Sequence, residues 1–302
     1  MLRRGLTLTC ALIGIALSGL TFGAVQIGAA LPGGVLVFSA DANGNSDLFM
    51  IDSERGSTLN LTDSVGANEI MPLVSPDGTT ILYAYLSSAA YGQRLCTLEP
   101  FRRPVSLCAG PDGRFHLVQN WDADSRHYFS LTLPENILYK IDAHTGEVAD
   151  ALPVAPRSTA DGWSNDRRYN ARLESADGVN RLMLVDTVTG EQRVLLERLY
   201  MSTAPRFSPD DSRIAVAAII GDDPDLEIYT LDVTGEHLFQ VTRNDGALDE
   251  SPAWSPDGAQ IAFISDQDTL NPQVYIVNAD GSGRRRITDD SERFHRFPGW
   301  LR

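Results

Sequence analysis

From Ser251 onward, apolar positions come in short runs separated by turn residues. Ser251-Pro252-Ala253-Trp254 leads through Ser255-Pro256-Asp257-Gly258 to Ile261-Ala262-Phe263-Ile264. A polar loop follows, then Val274-Tyr275-Ile276-Val277, the segment Asn278-Ala279-Asp280-Gly281, and Arg286-Ile287-Thr288. Apolar runs this short, bounded by Gly, Pro, Asp and Asn, predict four strands. Pro-Asp-Gly is a tight-turn signal, because Pro presets φ and Gly accepts a positive φ. Asn278 to Gly281 predicts a second hairpin turn of the same chemistry.

The unit recurs along the chain. With Trp254 as anchor, the equivalent positions are Val74, Trp121, Trp163, Phe207 and Trp300, spaced by 47, 42, 44, 47 and 46 residues. The turn after the anchor appears as Pro76-Asp77-Gly78, Ala123-Asp124-Ser125, Asn165-Asp166-Arg167 and Pro209-Asp210-Asp211. The later hairpin turn recurs between Asp52 and Gly56, Asp142 and Gly146, Asp186 and Gly190, and Asp232 and Gly235. The second repeat departs from this, with Glu99-Pro100-Phe101-Arg102-Arg103-Pro104 in its place.

A four-stranded unit of this length, repeated about six times, predicts an all-β fold, a six-bladed β-propeller. One blade cannot bury both faces, so neighbours stack around a ring and the anchor aromatics pack between blades. The ends predict how the ring closes. Residues 35–39 align with 261–265, so the first repeat lacks its innermost strand, while Phe297-Pro298-Gly299-Trp300 has no strands after it. The C-terminal strand is therefore expected to complete the first blade and remove an exposed edge.

The first thirty residues follow another pattern. Arg3 and Arg4 precede a stretch without charge up to Asp41, residues 6–20 are nearly all apolar, and Gly28, Ala29 and Ala30 are small. This is the pattern of a secretory signal peptide. Residues 6–30 are also long enough to span a bilayer as a signal anchor, with the arginines held on the cytoplasmic side. Both readings divide the chain into a leader, 1–30, and a propeller, 31–302, that is extracytoplasmic: periplasmic, cell-surface or secreted. Thr7, Leu8 and Thr9 before Cys10 fit a lipidation box poorly. Cys96 and Cys108 lie equally far from a turn near Arg102, so a hairpin there would place them opposite each other and allow a disulfide. The alternative is two buried thiols.

The net charge of −15 becomes −17 without Arg3 and Arg4. Such a field repels duplex nucleic acid and suits a cationic partner or Ca²⁺, although acidity also serves solubility alone.

Trp254-Ser255-Pro256-Asp257-Gly258, with Val274 to Ser282, resembles the TolB-like propeller repeat. The resemblance covers roughly residues 33–302, is closest in the first, fifth and sixth repeats, and is looser in the third and fourth. It implies six blades, a place outside the cytoplasm, and work through protein contacts at the propeller faces. TolB carries a further domain before its propeller and some relatives carry a peptidase domain after it. Neither is expected here, and the lack of the first speaks against a Tol–Pal role.

Strand order assigns the loops to two faces. The Pro-Asp-Gly turns and Asp-to-Gly hairpins fall on one. The other collects Asp222, Asp223 and Asp225, Asp266 and Asp268, Asp249 and Glu250, and Asp289 and Asp290, with Asp63, Glu69, Asp245 and Glu292 nearby. These are the candidate partner-binding residues. Asp41, Asn43 and Asp47 in the loop 41–47 form a weak calcium candidate, because oxygens alternate there but the closing bidentate Glu is absent.

Catalytic patterns are not found. His116, His127, His144, His237 and His295 have no paired ligand spacing and are expected at the surface or half-buried, no Gly-x-Ser-x-Gly elbow or phosphate loop occurs, and Lys140 is the only lysine. Arg284-Arg285-Arg286 reads as a solvated strand edge or an anion contact. The resulting expectation is a monomeric, non-catalytic binding or scaffold module for a protein or small ligand, without a cofactor. The competing readings are a polysaccharide lyase or hydrolase with acids in the central funnel, and a membrane-anchored sensor.

Overall fold

A computed structural model describes residues 34–42, 44–87, 93–101, 103–109, 115–133, 135–153, 161–221, 224–290 and 292–301. The leader, 1–30, lies outside them. Six antiparallel sheets follow one another along the chain as the blades of a β-propeller.

Blade two shows the pattern: Ala67–Val74, Ile81–Ser87, Gln93–Glu99 and Arg103–Ala109 pair in sequence order. Blades three, four and six repeat it. In blade five the first strand is split into Leu199–Met201 and Arg206–Phe207, which pair with successive parts of Arg213–Ile220. Blade one is completed by the C-terminal strand. His295–Leu301 pairs with Val35–Ala42, placing Leu36 opposite Trp300 and Val35 opposite Leu301.

The anchors end the first strands of blades two to six, and Trp300 holds the matching place in the closing strand. Three of them staple neighbouring blades. The indole N–H groups of Trp121, Trp254 and Trp300 donate to the carbonyls of Leu73, Arg206 and Ala253, at 2.9, 3.0 and 3.1 Å. Each acceptor lies just before the anchor of the preceding blade. The turns add further links: Asp77 N–H donates to Ser125 Oγ, and Asp211 accepts from the N–H groups of Asn165 and Asp166. Ser125 and Asp211 occupy the left-handed position that Gly78 and Gly258 fill elsewhere.

The core lies between blades. Val35 and Val37 pack with Ile81, Tyr83 and Leu98 of blade two. Leu36 and Phe38 on the same strand pack with Ala262, Ile264 and Ile276 of blade six. Successive side chains of a strand point to opposite faces, and here both faces are buried, so these strands read as continuous apolar runs.

Local chemistry shapes the inner strands. Met71, Ser251 and Phe297 each stand three residues before an anchor, each has a positive φ, and each precedes a proline. Register shifts mark the same places in blades one, two and six. Proline cannot donate to a ladder, so a bulge is where a strand tolerates it.

In blade two, Cys96 is paired with Cys108 in register and joined to it by a disulfide. At the closure, Gly34 has φ +78°, and a Cβ there would lie 2.8 Å from the Trp300 ring.

Candidate functional site

The loops between second and third strands and the connections between blades gather at one end of the wheel. On blades one, five and six this loop end carries exposed Asp41, Asp63, Asp245, Asp268, Asp289 and Glu292, with Asp225, Asp266 and Asp290 half-buried among them. Asp222, Asp223 and Asn43 lie outside the described residues. Between the acids stand fully exposed Val65 and Leu270, with Leu248 half exposed. Arg243 is an exposed cation of this region, and Arg293 is bound to Asp290 at 2.9 Å.

Several of these acids also tie this end together. Asp225 accepts from Gly246 N–H at 2.9 Å, and Asp266 from Leu248 N–H at 2.8 Å. Asp268 accepts from the Tyr275 hydroxyl at 2.6 Å. These bonds shape the surface and leave the carboxylates at its rim.

Asp249 and Glu250 are placed differently. Asp249 is fully buried where blades five and six meet, and its carboxylate lies 3.5 Å from Arg284 Nη2. Burial raises its pKa, while Ser265 and Arg284 oppose the rise. Glu250 is half-buried, and its pKa is raised by burial and by Asp266, against Arg296. Asp249 therefore braces two blades, and its side chain does not reach solvent.

The same junction chemistry recurs between blades one and two. Asp47 accepts from the amides of Asn45 and Asn60 at 2.8 and 2.7 Å, and hydrogen-bonds to buried Glu69. Burial, with Asp47 beside it, raises the Glu69 pKa, so Glu69 holds its proton more readily than a free glutamate would. Of the calcium candidate, Asp47 is thus saturated inside the junction, and Asp41 accepts from Ser46 Oγ at 2.6 Å. In the matching junctions, Thr242 binds Glu227 at 2.5 Å and Thr288 binds Gln273 at 2.9 Å.

Two expectations need correction. His116 and His295 are buried, because both stand five residues before an anchor, where the inner strand enters a blade junction. His116 Nδ1 pairs with Ser130 Oγ at 2.8 Å, and burial lowers the His295 pKa. Arg284 is likewise no solvated edge: it reaches Asn244 and Ser265 and lies over the rings of Phe263 and Tyr275. Arg285 donates to Ser53 O of blade one at 2.6 Å. The five-residue offset from each anchor was the available signal for the buried histidines.

Residues 153–298 match the family described as the TolB beta propeller domain. Over that part, just under half of the chain, the propeller is similar to the TolB-like family. It is 43% identical over 121 residues to the Tol-Pal system protein TolB of Anaeromyxobacter dehalogenans (strain 2CP-C), covering 40% of this chain and 26% of that relative. The chain thus spans about a quarter of the length of the curated relatives it matches. Among solved structures it is similar to TolB from Acinetobacter baumannii, with a TM-score of 0.68 and 15% identity, covering 89% of this chain and 66% of that one. An oligogalacturonate lyase from Vibrio parahaemolyticus shares the fold at a TM-score of 0.50 and 17% identity, covering 84% and 73%. Likenesses this distant in sequence bear on the TolB-like fold alone.

Proposed function

We propose that this TolB-like propeller is an extracytoplasmic binding or scaffold module whose loop end on blades one, five and six docks a cationic protein segment. The observation that carries the reading is the mixture at that end: Asp63, Asp245, Asp266, Asp268 and Asp289 surround exposed Val65, Leu248 and Leu270. Exposed apolar side chains rimmed by like charges suit a partner that presents both apolar contacts and positive charge. The likeness to a protein named for the Tol–Pal system supports a protein partner. The basic, then apolar, leader supports export, whether it is cleaved or retained as an anchor.

A binding role also agrees with the state of the inward acids. Glu69, Asp47, Glu227 and Asp249 are engaged in blade junctions and are not presented together to a substrate. The test is capture of partners from the extracytoplasmic fraction by the wild-type chain and by a variant with Asp245, Asp266, Asp268 and Asp289 changed to Asn. Loss of a saturable, salt-sensitive partner in the variant supports the reading. Retention of the same partner at the same affinity refutes it.

A further inference from the structure

Blade three breaks a rule that four other blades keep. After the anchor, Ser75, Ser164, Ser208 and Ser255 each donate from Oγ to the aspartate two residues on, at 2.6 to 2.7 Å. The same hydroxyls accept the N–H of the residue five positions on, which is Thr80, Tyr169, Arg213 or Gln260. In blade three the serine is replaced by Asp122, and the residue five positions on is His127. One turn on the end opposite the acidic loops therefore holds two carboxylates and an imidazole.

The turn is well fixed. Asp122 N–H donates to His127 O at 2.7 Å, and Asp124 Oδ1 accepts the N–H groups of Arg126 and His127 at 2.9 Å each. Asp124 Oδ2 lies 2.6 Å from His127 Nδ1 and sets the plane of the ring. Asp122 Oδ2 lies 2.5 Å from the ammonium of Lys140, the chain's only lysine. Arg126 turns away to Asp142, and Arg167 donates to the carbonyl of Trp121.

We propose that this turn binds a divalent transition-metal ion of the Zn²⁺ class, through Asp122, Asp124 and His127. One oxygen or nitrogen from each already lies within 4.8 Å of the others. Bonds of about 2.0–2.2 Å to a tetrahedral ion require ligand atoms roughly 3.3–3.5 Å apart, so the 2.6 Å hydrogen bond between Asp124 Oδ2 and His127 Nδ1 opens, any proton in it is released to water, and Asp122 adjusts to the same spacing. Three protein ligands leave a fourth position for water or a partner's side chain. The nitrogen ligand and the low ligand number disfavour Ca²⁺, which takes six to eight oxygens. Lys140 neutralises Asp122 in the metal-free turn, and an entering dication displaces it.

The test is calorimetric titration of the full chain with ZnCl₂ and, separately, CaCl₂. One Zn²⁺ per chain is expected, with Ca²⁺ at least tenfold weaker. Asp122→Ser, which restores the residue of the other blades, keeps the melting temperature and weakens Zn²⁺ at least tenfold, as does His127→Ala. Lys140→Met tightens it several-fold, a gain that damage to the fold would not produce. His237→Ala, on the same end, leaves it unchanged. The proposal is overturned by no Zn²⁺ binding, by binding that survives both Asp122→Ser and His127→Ala, by Ca²⁺ binding as tightly, or by no gain in Lys140→Met.

Discussion

Replacing Trp300 with alanine should unfasten the ring. The indole is 6% exposed and packs with Leu36, Phe38, Ile51 and Ile276, which belong to blades one and six. A side chain of this kind buries about 150–250 Å². At about 25 cal/mol per Å² that corresponds to about 4–6 kcal/mol as an upper bound. Trp-to-Ala changes in cores cost about 3–5 kcal/mol, and a loss of this size should lower Tm by roughly 10 °C. Trp300→Phe should cost about 1–2 kcal/mol, because it keeps most packing but removes the donor to the Ala253 carbonyl. Urea unfolding followed by fluorescence and circular dichroism reads both, with exposed Val188→Ala as a control within about 0.5 kcal/mol. If Trp300→Ala shifts the midpoint no more than Val188→Ala does, the C-terminal strand does not complete blade one.

Other expectations concern single junctions. Gly162→Ala should destabilise blade four by about 1–3 kcal/mol, since a Cβ there would lie 2.1 Å from the Pro205 carbonyl oxygen, and thermal melts would show it. Reducing Cys96–Cys108, twelve residues apart, should cost about 2–3 kcal/mol by freeing the unfolded chain, measured by melting with and without dithiothreitol. Burial works to raise the Asp142 pKa, but Arg126 and the N–H groups of His144 and Thr145 outweigh it and hold the group at about 2. Its stabilisation is thus present above the ordinary 3.8 and lost as pH falls toward 2, and Asp142→Asn should flatten that acid limb in pH-dependent melts. Glu69 has the opposite sign: its raised pKa means stability falls as pH climbs from 4.5 through the folded value. Glu69→Gln should therefore be more stable than wild type at pH 8 and nearly equal to it at pH 4.

The repeat was readable because its signals are local and chemical. Pro-Asp-Gly and Asp-to-Gly turns determine backbone geometry wherever they occur, so six anchors at nearly even spacing implied blades, and the late start at Val35 implied closure by Trp300. The loop end was readable from strand order alone. Which carboxylates face solvent was not. Asp249 and Glu250 are neighbours on one strand and so point to opposite faces, one into a junction with Arg284 and the other left half open. Burial of His116, His295 and Arg284 depends on partners contributed by other strands or blades, which a single repeat does not reveal. The substitution of Asp122 for serine was visible in the alignment of repeats, but Lys140 beside it comes from a strand eighteen residues away.

The claim that the acidic loop end is the working surface is tested most directly by hydrogen exchange of the propeller with and without a captured partner. Protection confined to residues 61–68, 243–250, 266–272 and 287–294 is the predicted result. Protection of the turns near Asp77, Asp166 and Asp257 at the other end, with those loops unchanged, would contradict it.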